Sequence, residues 1–125
     1  MMRKISIRSG EIEIMADLDD SPTAQAVFAS LPLCAAANTW GDEIYFEVPV
    51  HRKLDATAVE LVQVGDIGYW PSGPAFCIFF GPTPVSSGDE IRPASAVNLI
   101  GRVIGDARVL KAVHDGDLIE LDVAR

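Results

Sequence analysis

Nine aromatic residues are present, 2 Trp, 2 Tyr and 5 Phe, and all except Phe28 fall between positions 40 and 80. Trp and Tyr rings combine a large apolar contact area with a polar handle. A partly exposed platform of Trp40, Tyr45, Trp70 and Phe80 would therefore suit an apolar small molecule or a proline-containing peptide. The competing reading places the same rings in the core, because aromatics commonly fill small barrels. Asp42 and Glu43 add a carboxylate pair of the kind that performs acid/base chemistry. Neighbouring residues on a strand face opposite ways, so both reach one ligand only if Asp42 lies in a turn; capping or solvated roles are the alternative. Gly81-Pro82-Thr83-Pro84 follows an apolar run. Its prolines lack the N–H groups a phosphate cradle needs, so it reads as a stiff strand exit that holds a pocket rim, with Thr83 the residue of interest. The expected ligand-binding set is Trp40, Asp42, Glu43, Tyr45, Trp70, Phe80 and Thr83.

Other chemistries find less support. His51 and His114 are far apart with no partner at a ligand spacing, and Cys34 and Cys77 form no Cys-x-x-Cys pair, so no metal or other cofactor is expected. No Gly-x-Ser-x-Gly elbow occurs, and no catalytic residue can be named. Asp89-Glu90, after Ser86-Ser87-Gly88, reads as a loop.

The elements that must position these residues are mostly strands. Ile12, Ile14, Ala16 and Leu18 alternate with Glu11, Glu13, Met15 and Asp17, the period of a half-buried strand. Ser9-Gly10 joins it to a preceding Ile5/Ile7 strand as a tight hairpin. Ser21 is a plausible N-cap, Pro22 suits the first helical position, and Ala24, Val27, Phe28 and Leu31 share one helical face until Pro32 stops it. Short strand-like segments follow at 33–40, 43–48, 67–70, 75–80, 97–104 and 118–123. The 109–114 stretch is ambiguous between a strand and a helical turn. On 43–48, Ile44, Phe46 and Val48 share one face and Glu43, Tyr45 and Glu47 the other. Many short strands, Gly/Pro punctuation and one main helix predict a closed or nearly closed barrel with the helix as plug or lid.

The chain has 125 residues, 49% of them apolar and 22% charged, which fits one compact domain over 1–125. A formal net charge of -8 disfavours nucleic acid and anionic membranes as partners. Arg3-Lys4 runs into alternating residues rather than an apolar signal segment, and Asp17, Asp19 and Asp20 precede Leu31-Pro32-Leu33-Cys34 where a lipoprotein signal would be apolar. Both cysteines sit in apolar runs, so a reduced, cytoplasmic protein is expected. Homo-oligomer formation through apolar segments such as 33–37 stays open.

An ordered set of short motifs carries a family likeness. Pro22-Thr23-Ala24, Leu31-Pro32, Val64-Gly65-Asp66-Ile67, Tyr69-Trp70-Pro71, Asp89-Glu90-Ile91 and Val97-Asn98-Leu99-Ile100-Gly101 contribute, and two runs are the most specific: Trp40-Gly41-Asp42-Glu43-Ile44-Tyr45-Phe46 and Phe79-Phe80-Gly81-Pro82-Thr83-Pro84. Across nearly its whole length the chain resembles the small prokaryotic cyclophilin-like proteins of uncharacterised function. The resemblance implies a closed cyclophilin-like β-barrel with one main helix covering an open end. It does not bring an activity. Cyclophilins isomerise X-Pro bonds with an arginine on a barrel strand, whereas the 43–48 strand here has none, and His51-Arg52 matches the enzyme's His-Arg pair only superficially.

The leading expectation is thus a non-enzymatic module binding a small molecule or peptide in an aromatic-lined pocket. The alternatives are a prolyl isomerase or other small-molecule enzyme, and a structural subunit of an assembly. The last is implied by resemblance to the cyclophilin-like domains of allophanate hydrolase and oxoprolinase assemblies.

Overall fold

The computed structural model describes residues 2–124. The chain opens with the hairpin β1 (Arg3–Ser9) and β2 (Ile12–Leu18), paired from Arg3 with Leu18 to Ser9 with Ile12. Its apolar alternates Ile5, Ile7, Ala16 and Leu18 turn into the core. Helix α1 (Pro22–Ala29) starts where the Ser21 hydroxyl accepts from the Ala24 N–H at 3.3 Å. It packs against β2 and the later strand Val97–Ile104, sending Ala24 and Val27 into the core. Phe28 stays half-buried, with the Arg3 guanidinium 5.5 Å above its ring.

Then follow β3 (Leu33–Ala36), β4 (Asn38–Thr39), β5 (Glu43–Glu47), β6 (Ala58–Val59), β7 (Asp66–Trp70), β8 (Ala75–Phe79), β9 (Val97–Ile104), a 3-10 helix (Ala107–Ala112) and β10 (Leu118–Val123). One antiparallel sheet results, in the order β3-β10-β1-β2-β9-β7-β8-β5-β4, with β6 paired to β9. Inward-facing residues from strands all along this order, including Leu33, Ile119, Ile5, Leu18, Ile100, Ile67, Phe76 and Ile44, gather in or against one core. A single core reached from both ends of the sheet requires the sheet to curl around it.

The expected closure is not met. The ladder ends at β3 on one side and β4 on the other, and these ends do not pair with each other. They are instead consecutive in the chain. Ala37 sits between them, donating its N–H to Asp117 O and accepting at its own carbonyl from the Gly116 N–H, both at 2.8 Å. The 33–39 segment therefore changes partner at Ala37, from β10 to β5, which is why the single strand read over 33–40 is two. The 109–114 ambiguity resolves as the 3-10 helix, capped by Asp106 through the Arg108 N–H.

Candidate functional site

On β5, β8 and β7 the period of two separates two environments. Ile44, Phe46, Phe76, Ile78, Ile67 and Tyr69 face the main core. Their alternates Tyr45, Cys77, Ala75, Phe79 and Trp70 join Val97, Val59, Val62 and Ile91 in a second, smaller apolar cluster on the other face. Strand pairing sets Tyr45 opposite Cys77 and Glu43 opposite Phe79. Among the described residues no further sheet covers this second cluster; the loop after β8 brings Ile91, Pro93 and Ala94 to it as a roof. A cavity of about 270 Å³ remains, lined by Trp40, Glu43, Tyr45, Trp70, Cys77, Pro93, Ala94 and Val97.

Each wall has an identifiable support. Gly41, at φ +61, makes the tight turn from which the Trp40 N–H donates to Glu43 O at 3.0 Å, and a Cβ there would stand 2.8 Å from Pro82 O. The Trp70 ring lies on the backbone of Gly73, where a Cβ would meet its Cε3 at 2.6 Å. The ring's N–H donates to the Ser95 hydroxyl at 2.6 Å. The roof is stapled from within. The Ser86 hydroxyl accepts from the Thr83 and Arg92 N–H groups, both at 3.0 Å, while the Thr83 hydroxyl donates to Arg92 O. Arg92 also pairs with Glu90 at 2.9 Å. These bonds fix the loop that delivers Pro93 and Ala94.

At the floor lies Glu43, only 5% exposed. Burial among apolar neighbours disfavours its charged form and pushes its carboxyl up to about 7; the neighbouring Cys77 thiol offsets part of that rise. Burial, then the neighbouring Glu43 charge, holds the Cys77 thiol well above its ordinary range. Cys77 is therefore a protonated wall rather than a nucleophile. Among the lining groups, the Glu43 carboxyl is pushed by burial into the neutral range.

Of the residues singled out in the sequence, Trp40, Glu43, Tyr45 and Trp70 meet at this cavity. Asp42, Phe80 and Thr83 do not. Asp42 lies in the turn, but its side chain belongs to a separate depression with Phe80, Lys111 and His114, with Lys111 Nζ 3.8 Å from its carboxylate. Phe80 is one residue out of step with Phe79, so it falls on the core side. Thr83 is buried in the roof, with its hydroxyl engaged there. Cys77, Pro93, Ala94 and Val97 were missed, and only the pairing of β5 with β8 or the loop's path reveals them. A larger depression of about 780 Å³ beside the first hairpin is lined by Arg8, Glu11, Asp117 and Glu120 among others, and its arginine is ion-paired to Glu120 at 3.0 Å. No His/Cys/Asp/Glu group arranged to hold a metal occurs among the described residues, and none of their helices is long and apolar enough to cross a membrane.

A family model described as cyclophilin-like matches residues 3–122. A hypothetical protein from Archaeoglobus fulgidus, known from a solution structure, is similar at 39% identity with a TM-score of 0.83; the likeness covers 98% of this chain and 95% of that one. No curated protein matches.

Proposed function

This chain belongs to the cyclophilin-like family, and from that premise we propose that it is a cytoplasmic, non-enzymatic binding module that takes a small molecule or short proline-containing peptide between Trp40, Tyr45 and Trp70. The observation that carries this reading is the cavity itself. Three half-buried rings line a half-open cavity close in volume to the lower end of small-molecule pockets, which run from about 300 Å³ upward. Its walls are fixed by the Gly73 contact, the Ser95 bond and the stapled roof. Such preorganisation lowers the entropic cost of binding.

Prolyl isomerisation needs a cationic donor at the prolyl group, and no Lys, Arg or His lines the cavity among the described residues. Arg102 is ion-paired to Asp66 at 2.6 Å on the outer side of β7 and β9. A model X-Pro peptide is therefore expected to interconvert at its uncatalysed rate in the presence of this protein. Two free cysteines, one exposed and one buried, fit a reducing compartment.

Both tryptophans of the chain line the cavity, so tryptophan emission excited beyond the tyrosine absorption reports on this site. Titration with panels of metabolites and proline-containing peptides is expected to give a saturable change with at least one compound, weakened about tenfold or more by Trp70→Ala. Silence across the panels would overturn the reading.

A further inference from the structure

Resting on the binding reading above, we infer that the ligand is an organic cation: a small amine or alkylammonium compound whose positive charge sits among Trp40, Tyr45 and Trp70 and faces the Glu43 carboxylate. Three aromatic side chains line one cavity with a single carboxyl group, the composition of a cation cage, because the negative face of a ring attracts positive charge and a carboxylate adds a direct counter-charge. Glu43 is 5% exposed and its side chain takes part in no ion pair among the described residues. The Cys77 thiol beside it is only a weak donor. A carboxyl group held in an apolar cavity without a cation is at a cost that an entering cation would remove.

The surroundings reinforce this. The remaining lining residues from β7, β9 and the roof are Trp70, Val97, Pro93 and Ala94, none of which carries charge. From β8 the titratable group facing Glu43 is Cys77, held in its thiol form, and from β5 it is Tyr45. Asp42, next in the chain, turns toward Lys111, and Arg92 of the roof is already paired with Glu90. The net charge of -8 draws cations toward the surface from longer range. Because the Glu43 carboxyl titrates at about 7 without ligand, a cation that prefers the carboxylate must bind more tightly as pH rises through neutrality.

The probes are tetramethylammonium, choline and 3,3-dimethylbutan-1-ol, the uncharged isostere of choline, followed by tryptophan fluorescence and calorimetry. Neither cation has an ionisable ammonium proton, so any pH dependence near neutrality belongs to the protein. Choline is expected to bind at least about tenfold more tightly than the isostere. Its affinity should rise several-fold from pH 6 to pH 8, as Glu43 goes from about one tenth to about nine tenths ionised, and Glu43→Gln should abolish both differences. If that variant fails to fold, the pH profile of the unaltered protein decides. Isostere and choline binding equally, with no pH dependence, would overturn the inference and leave the binding reading standing. Neutral compounds binding while both cations fail would do the same. If neither the probes nor the broader panels bind, both fall together.

Discussion

On β5, adjacent residues end in different surroundings: Phe46 stacks on Phe76 with ring centroids 5.3 Å apart inside the main core, while Tyr45 stands over the cavity on the opposite face. The inner face meets side chains arriving from the rest of the curled sheet and from α1, and fills completely. The outer face is covered by a loop. A loop fixed by hydrogen bonds can hold its shape above a gap, whereas a core closes onto any gap that its strands allow. The same strands thus supply stability on one side and vacant space on the other.

The largest expected contrast lies between those two neighbours. Phe46→Ala should cost about 3–5 kcal/mol in urea unfolding, because a buried ring is replaced by a void. Tyr45→Ala should cost less than half as much, and equal costs would erase the distinction between the faces. Next is the acid at the cavity floor. Glu43 titrates at about 7 in the folded chain against 4.5 ordinarily, so the folded state holds its proton more tightly than the unfolded chain does. Its contribution is therefore fully present below pH 4.5 and is lost as pH rises to and beyond 7, a fall of about 3 kcal/mol. Glu43→Gln should flatten that part of the stability profile in denaturant titrations and stabilise the protein at pH 8. A profile unchanged by the variant would mean that the outer face is wetter than its geometry indicates.

Smaller effects sharpen the same contrast. The Tyr69 hydroxyl, on the core side, donates to Val50 O at 2.5 Å and accepts from the Arg52 N–H at 3.2 Å. Tyr69→Phe should cost about 1–3 kcal/mol by thermal unfolding, since it strands partly buried backbone groups. On the cavity side, Ser95→Ala removes the acceptor of the Trp70 N–H at an exposed position. Stability should change by no more than about 0.5 kcal/mol, while tryptophan emission and ligand affinity respond.

Much of the scaffold was legible in the sequence because strict local signals specify it. The alternation at 12–18, the Ser21-Pro22 cap and the division of Ile44 and Phe46 from Glu43 and Tyr45 all depend on neighbours within one element. What escaped depends on distant partners. Phe80 resembles any ring near the cluster until β8 is paired, and its parity then sends it inward. Cys77 joins the cavity only because β8 lies beside β5 in the register that sets it against Tyr45. The two-residue β6 and the isolated bridge between Val62 and Ile91 are too short to leave a periodic trace. Closure failed as an expectation because β3 and β4 divide one extended segment between two partners.

That division makes the stretch around Ala37 a shared clasp. The Thr39 N–H and hydroxyl both donate to Asp115, at 2.6 and 2.8 Å, so the half that pairs with β5 is also fastened to the turn that receives Ala37. Lifting the clasp would bare the outer margins of β10 and β5 in one event, offering two unsatisfied strand borders to neighbouring molecules. Residues 33–39 thus keep two strand borders hydrogen-bonded at once, β10 through β3 and β5 through β4.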